Sequence, residues 1–332
     1  MAIYDVNGNV IGSESEQLNF NLIHTFSAFD TDYSTATNTP RVLDISSETF
    51  LNTFYDRYLG YNTNGVFVGK TVLGKDTSDT YDVYQYEFRP QNYKRTFLIS
   101  SGMHTYEMPA YFGLARWMQE YMEGTDNVFK WLRANVRIIC IPIVNPWGFN
   151  QNPKTYGNVN GVNPNRNFDD LNNGWANYQS NNNEWNKKGS SAFSEKETQI
   201  LRDWAFKYAD VAEFYIDCHT GLGCSRREYG DVWSYYLSNS PMYAKIRNAV
   251  TALKNHISST YSITAKEYST NPSTDPKLNE LFWTDVAGVP MMTIEQAQGN
   301  DTAYATVPNN SAIAIQEYAT QIHAYVIAQI VD

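Results

Sequence analysis

Cysteine is scarce in this chain of 332 residues: only Cys140, Cys218 and Cys224 are present. Three thiols cannot make the disulfide framework of a small secreted domain. Cys140 and Cys218 fall inside apolar runs and read as buried free thiols. Basic charge is also thin, with 25 Lys plus Arg against 35 Asp plus Glu, a formal net charge of −10. That balance excludes a surface built to grip phosphate backbones, so no nucleic-acid partner is expected. An acidic field favours neutral or cationic partners. No apolar run approaches the roughly 18–20 residues of a membrane span, so no membrane partner is expected either. The start, Met1-Ala2-Ile3-Tyr4-Asp5, has neither the basic residues nor the apolar stretch of a signal peptide. The protein is therefore expected in the cytoplasm or exported by a route the sequence does not show. What the chain has in quantity is apolar mass: 42% hydrophobic residues and 25 tyrosines. This is the composition of a folded protein with a sizeable core, of one large domain or two small ones.

Residues 1–12 alternate apolar and polar around Asn7-Gly8-Asn9, a hairpin signal. Residues 27–40 are rich in Ser, Thr, Asp and Asn and end at Pro40, so 1–40 read as an appendage and 41–332 as the main domain. In that domain a helix is expected from Ser46 or Ser47 to about Leu59 and strands at 66–73, 81–88 and 95–100. A helix follows over 109–122, with Pro109 suited to its first turn. The run at 136–144 (VRIICIPIV) has the pattern of a strand covered on both faces. A helix at 195–208, a strand at 212–216, a helix at 241–256, a strand at 290–294 and a helix at 311–330 complete the pattern. Strands alternating with helices predict an α/β fold: a central mixed twisted sheet with helices on both faces. Residues 158–186 hold 12 Asn, but Trp175, Tyr178 and Trp185 punctuate them, so a long structured loop is expected.

Only five histidines are available for chemistry. His104 and His219 each follow a predicted buried strand, the side of an α/β sheet where ligands bind. His24 lies in the appendage, and His256 and His323 lie in helical patterns. His104-Thr105-Tyr106-Glu107 can place an imidazole and a carboxylate on one side of a turn. That pair alone is weak, because ordinary helices contain it. With His219 added, two His and one Glu make a catalytic zinc set with a fourth position left for water. Glu295, at the end of Met291-Met292-Thr293-Ile294, reads either as an exposed strand-end residue or as a general base. Asn165 and Arg166, in the Pro-constrained segment Gly161–Phe168, could bind a carboxylate with a forked contact or simply be a solvated loop.

Taken together, these pieces resemble the zinc carboxypeptidases of the carboxypeptidase A type. The resemblance covers roughly residues 41–332, with its motifs in the family's order. Val68-Gly69-Lys70-Thr71 and Leu73-Gly74-Lys75 are similar to the early strand pair. His104–Glu107 matches the first two zinc ligands, and Asn145-Pro146-Trp147-Gly148 matches the Asn-Pro-Asp-Gly turn with Trp in place of Asp. Gly161–Phe168 and Ala192–Thr198 match the next two segments. His219 matches the third ligand and Glu295 the general base. The resemblance implies one Zn2+ per chain on His104, Glu107 and His219, with Glu295 activating the water. It also implies that Asn165 and Arg166 hold the substrate's terminal carboxylate, with Tyr268 as a mobile cap in a loop.

Two departures stand out. The family has Asp where Asn163 stands, and that Asp orients the first zinc histidine; Asn keeps an acceptor oxygen but brings no charge. The family's oxyanion-stabilising Arg is missing; Lys154, the only cation between Asn145 and Asn165, is a candidate to replace it as a point charge, the alternative being a cation that folds in from elsewhere. The expected activity is zinc-dependent hydrolysis of C-terminal peptide bonds, with a peptide or acyl-amino acid bearing a free carboxylate as partner. Alternatives on the same scaffold are a deacylase of small acyl-amino acids, an enzyme trimming cell-wall peptides with residues 1–40 attaching it to a larger assembly, or a non-catalytic binding module.

Overall fold

The computed structural model describes residues 2–4, 10–13, 20–27, 45–61, 64–181, 183, 186–221, 231–235, 243–261, 266–270, 278–297 and 310–331. Two strands, β1 (Ala2–Tyr4) and β2 (Val10–Ser13), pair antiparallel by themselves. Nine more form one mixed sheet: β3 (Gly60–Tyr61), β4 (Val66–Lys75), β5 (Asp82–Pro90), β6 (Arg95–Ser101), β7 (Val136–Ile141), β8 (Phe214–Gly221), β9 (Asp231–Tyr235), β10 (Lys266–Thr270) and β11 (Met291–Ala297). Their order across the sheet is β10-β9-β11-β8-β6-β7-β5-β4-β3. The middle four, β7, β6, β8 and β11, run parallel. β5 joins β7 antiparallel on one side and β9 joins β11 antiparallel on the other. The expected α/β architecture is therefore the one observed.

Both faces of the parallel strands are covered, which is why they read as unbroken apolar runs. Residues alternate between faces. Phe97, Ile99, Ile138, Cys140, Phe214, Ile216, Met292 and Ile294 pack in one core with α2 (Met108–Glu123) and the C-terminal helix, Asn310–Ile330. Leu98, Ile139, Tyr215 and Met291 pack in a second core with Leu201, Trp204 and Tyr208 of the helix Lys196–Tyr208 and with Phe282 and Trp283. α2 and the C-terminal helix come unusually close at Gly113. A Cβ there would stand 2.6 Å from Cβ of Tyr318, so only Gly fits.

Several boundaries differ from the sequence expectations. The first helix, α1 (Ser47–Phe54), stops early and becomes a 3-10 turn at Asp56–Tyr58, leaving Leu59 45% exposed. β8 and β11 run past their apolar stretches, so His219 and Glu295 lie inside strands rather than after them. A helix at Asn127–Asn135 and strands β9 and β10 had no sequence expectation. Cys140 and Cys218 are buried free thiols, as expected; Cys224 lies outside the described residues.

The Asn-rich stretch is built as a structured loop. Asn158 donates to Glu195 Oε2 at 2.7 Å and to Glu197 Oε2 at 3.1 Å, while its own oxygen accepts from the Asn160 and Val162 amides. Asn167 does the same for the loop's far side, with bonds to Lys188, Ser191, Ser194, Glu195 and Thr198. Asparagine suits this work because one side chain both donates and accepts. Residues 20–27 lie against the helices of the first core. Phe26 is buried, Arg116 donates to the Ser27 carbonyl and hydroxyl, and Thr320 donates to the His24 carbonyl.

Candidate metal centre

β6 and β8 are neighbours, with Ser101 opposite Cys218. β6 is followed by Gly102, at φ +65°, where a Cβ would stand 3.1 Å from Ile143 Cα. That turn carries the chain to His104 and then Glu107, the residue just before α2. His219 arrives from β8. The two segments meet at the carboxyl ends of parallel strands, where strand order reverses about β6: β7 lies on one side and β8 on the other.

His104, Glu107 and His219 form a buried group whose ligand atoms all lie within 4.8 Å of one another. His104 Nδ1 is 3.0 Å from Glu107 Oε1, and His219 Nδ1 is 3.1 Å from Glu107 Oε2 and from His104 Nδ1. The other ring nitrogens point outward to acceptors. His104 Nε2 donates to Asn163 Oδ1 at 2.9 Å, and His219 Nε2 donates to Asp217 Oδ2 at 2.9 Å. Protons held at Nε2 leave both Nδ1 lone pairs facing the carboxylate, an arrangement of three acceptors that suits a cation. Ligands about 2.0–2.1 Å from a tetrahedral zinc would stand about 3.3–3.4 Å apart, close to the spacing seen. The donor set fits zinc.

The local field acts oppositely on the two rings. Burial opposes positive charge on His219, yet Asp217 and Glu107 outweigh it and raise its pKa well above the usual value. Burial also opposes charge on Glu107, but the two histidines and their hydrogen bonds hold its carboxyl below the usual range. Burial lowers the pKa of His104 despite Glu107, favouring the neutral ring a metal needs.

Asp217 is a residue that the sequence reading missed. Its Oδ1 accepts from Ser100 Oγ at 2.6 Å and its Oδ2 also accepts from Asn279 Nδ2 at 2.8 Å. Its signal was available: in a strand, i and i+2 share a face, so Asp217 had to lie beside His219. The charged support that the resemblance places at Asn163, behind the first histidine, stands here behind the second.

The remaining candidates gather around this centre. In the β8–β11 register Glu295 lies directly beside His219, and it is half-buried. Across β9 and β10 the same row continues through Trp233 to Tyr268. Tyr268 is thus a strand residue, not the loop residue expected, about 10 Å from Glu295 at normal strand spacing. Asn163 Oδ1, besides holding His104, accepts from the Asn165 amide at 2.9 Å and so starts the 3-10 turn Pro164–Arg166. Arg166 is anchored by its Nε, which donates to the Tyr178 hydroxyl at 3.1 Å. The ring of Tyr156 stacks on His104 at 3.8 Å, and its hydroxyl lies within the fields of Glu107, Arg166 and Glu295. Lys154 is used differently from the expectation of an oxyanion partner. Its ammonium donates to the carbonyls of Ile45 and Phe149 and lies over the Phe149 ring, holding the loop down.

A family model of zinc carboxypeptidases matches residues 61–326. No curated protein matches the chain. Among solved structures, carboxypeptidase A from Helicoverpa armigera aligns with a TM-score of 0.65 at 16% identity, covering 89% of this chain and 76% of its own. Bovine thrombin-activatable fibrinolysis inhibitor, solved with a tick carboxypeptidase inhibitor, aligns at 0.59 and 15% identity, covering 85% and 95%. A metallo-carboxypeptidase from Burkholderia cenocepacia aligns at 0.58 and 14% identity, covering 87% and 70%. At these identities the likeness is one of fold.

Proposed function

The chain belongs to the zinc carboxypeptidase family, and from that premise we propose that it removes C-terminal residues from peptides. The observation that carries this reading is the double use of Asn163 Oδ1, which couples the His104 ring to the turn bearing Asn165 and Arg166. A metal centre and a carboxylate-binding turn are thereby fixed to each other. His104, Glu107 and His219 would hold the zinc. Bound there, zinc supplies a Lewis acid that polarises a carbonyl and makes water more acidic. Glu295, beside His219 in the adjacent strand, takes the proton from the attacking water and returns it to the leaving amine. Arg166 and Asn165 bind the free carboxylate by charge-assisted hydrogen bonds, and Tyr268 covers the terminal residue. A neutral amide matches that pair poorly, so chain ends are chosen over internal bonds. Every group in this reading lies within residues 41–332, the catalytic domain of the proposal.

The test uses zinc-loaded protein on a peptide and its C-terminally amidated twin, read by mass spectrometry. Trimming of the free acid alone supports the reading; equal cleavage of both would refute it. Glu295→Gln should retain zinc by elemental analysis while kcat falls about 10²–10⁴-fold.

A further inference from the structure

We infer that Tyr318, a residue of the C-terminal helix that touches no substrate, sets Glu295 over the metal centre by pinning the backbones of β8 and β11 together. The inference rests on the carboxypeptidase reading above. Tyr318 is fully buried, and its hydroxyl donates to the His219 carbonyl at 2.8 Å and to the Ile294 carbonyl at 3.2 Å. The first carbonyl belongs to a metal ligand. The second belongs to the peptide link into Glu295.

The place of this bridge gives it a role. β6 pairs with β8 only as far as Ser101 opposite Cys218, so from His219 onward β8 has lost its ladder on that side. Glu107 takes over part of that duty, accepting from the Thr220 amide at 3.0 Å. On the other side β8 is held by β11, where Cys218 faces Ile294 and His219 faces Glu295. The reacting row therefore lies near the ends of two strands, where fraying opens a structure most easily. A hydroxyl shared by one carbonyl of each strand resists a slip of one past the other. The side chains of Cys218 and Ile294 pack in the helix-side core, and strand residues alternate, so His219 and Glu295 point to the opposite face. Tyr318 thus acts from behind the sheet, through the backbone, as a positioning residue. The fold makes room for its ring. Gly113 stands inside α2, where glycine is unfavourable, and a Cβ there would lie 2.6–2.9 Å from Tyr318 Cβ, Cγ and Cδ1. α2 begins directly after Glu107. One side chain is thereby locked against the helix that follows Glu107, the strand bearing His219 and the strand bearing Glu295. Misplacing a base by about 1 Å lowers a rate by about 10²-fold. Binding of the chain end depends on Asn165 and Arg166 and is left intact.

Tyr318→Phe keeps the ring and removes only the bridge. Its control is Tyr121→Phe, which removes a buried bond of the same kind, from the Tyr121 hydroxyl to the Val136 carbonyl at 2.8 Å, at the amino end of β7. Both zinc-loaded variants should retain the metal by elemental analysis. Tyr318→Phe alone should lower kcat about 10–100-fold with KM within about threefold of wild type, and Tyr121→Phe should match wild type. Gly113→Ala, which displaces the ring and keeps the hydroxyl, should show the same split as Tyr318→Phe. Backbone hydrogen exchange gives a readout independent of cleavage. Segments 216–221 and 291–297 should exchange at least about tenfold faster in Tyr318→Phe and at the wild-type rate in Tyr121→Phe. Equal kcat in the two tyrosine variants, or unaltered exchange in those segments, would overturn the role of Tyr318 and leave the carboxypeptidase reading standing. If wild-type protein trims no peptide, that reading falls instead, and hydrogen exchange still decides whether Tyr318 pins the two strands.

Discussion

Acid should destabilise this protein through His323. The ring is 1% exposed in the C-terminal helix; its Nε2 donates to the Asn21 carbonyl at 3.3 Å and its Nδ1 has no partner. Burial first, and the nearby His24 second, push its pKa down from 6.5 to about 3. The His24 ring stands 5.3 Å away and is itself shifted down by burial, against the pull of Glu120 and Asp126. In the native state His323 thus stays neutral across most of the acid range. The unfolded chain takes up its proton near pH 6.5. Below that pH the unfolded state binds more protons, so stability falls as pH falls, until the native ring itself titrates near pH 3. Each pH unit in that window costs about 1.4 kcal/mol, and the integrated loss between pH 7 and pH 5 is about 2 kcal/mol. His323→Gln keeps an amide donor for Asn21 and removes the titration. Denaturant unfolding of both proteins at the two pH values isolates the effect, since every other titrating group, the zinc ligands included, is common to the pair. Wild type should lose about 2 kcal/mol more than the variant. Equal losses would mean that the native ring is already protonated at pH 5 and that its burial is not what the structure indicates.

Three further outcomes are expected. Asp217→Asn should weaken zinc binding about 10–100-fold in competition with a chelator, because His219 would lose its charged partner; unchanged affinity would remove Asp217 from the metal site. Arg166→Ala should retain zinc and lose most of the preference for a free carboxylate over an amidated end, whereas an unaltered preference would place the carboxylate elsewhere. Gly113→Ala should cost about 1–3 kcal/mol in unfolding measurements through overpacking against Tyr318. It should also disturb the site, because the Tyr318 hydroxyl donates to the carbonyls of His219 and Ile294.

Legibility followed the physics of covering. β6 and β7 are covered on both faces from end to end, and their apolar runs could be read directly. β8 and β11 were read short because one face turns polar at Asp217 and His219 and at Thr293 and Glu295, the region where the site is built. An apolar-run criterion stops where function begins. β9 and β10 carry Asp231, Ser234, Lys266, Glu267 and Ser269, without an apolar pattern, which left Tyr268 to be placed in a loop. The metal ligands were legible as residue types in a spacing. The partners that orient them were legible only in part, since Asn163 was flagged by its difference from the family and Asp217 by nothing but its position two residues before a ligand.

Glu107 and His219 are 112 residues apart in sequence. Bringing such distant points together costs an unfolded chain about 4 kcal/mol of loop entropy. The unfolded polypeptide therefore offers a metal ion no preformed grip, and ligand geometry exists only after β6 has paired with β8. Zinc then acts on a finished scaffold and adds stability by mass action. This is the reverse of small metal-folded domains, in which the ion organises the chain. Chelation of this protein should behave as a reversible switch on its chemistry, leaving a folded shell that recovers its full function when the metal returns.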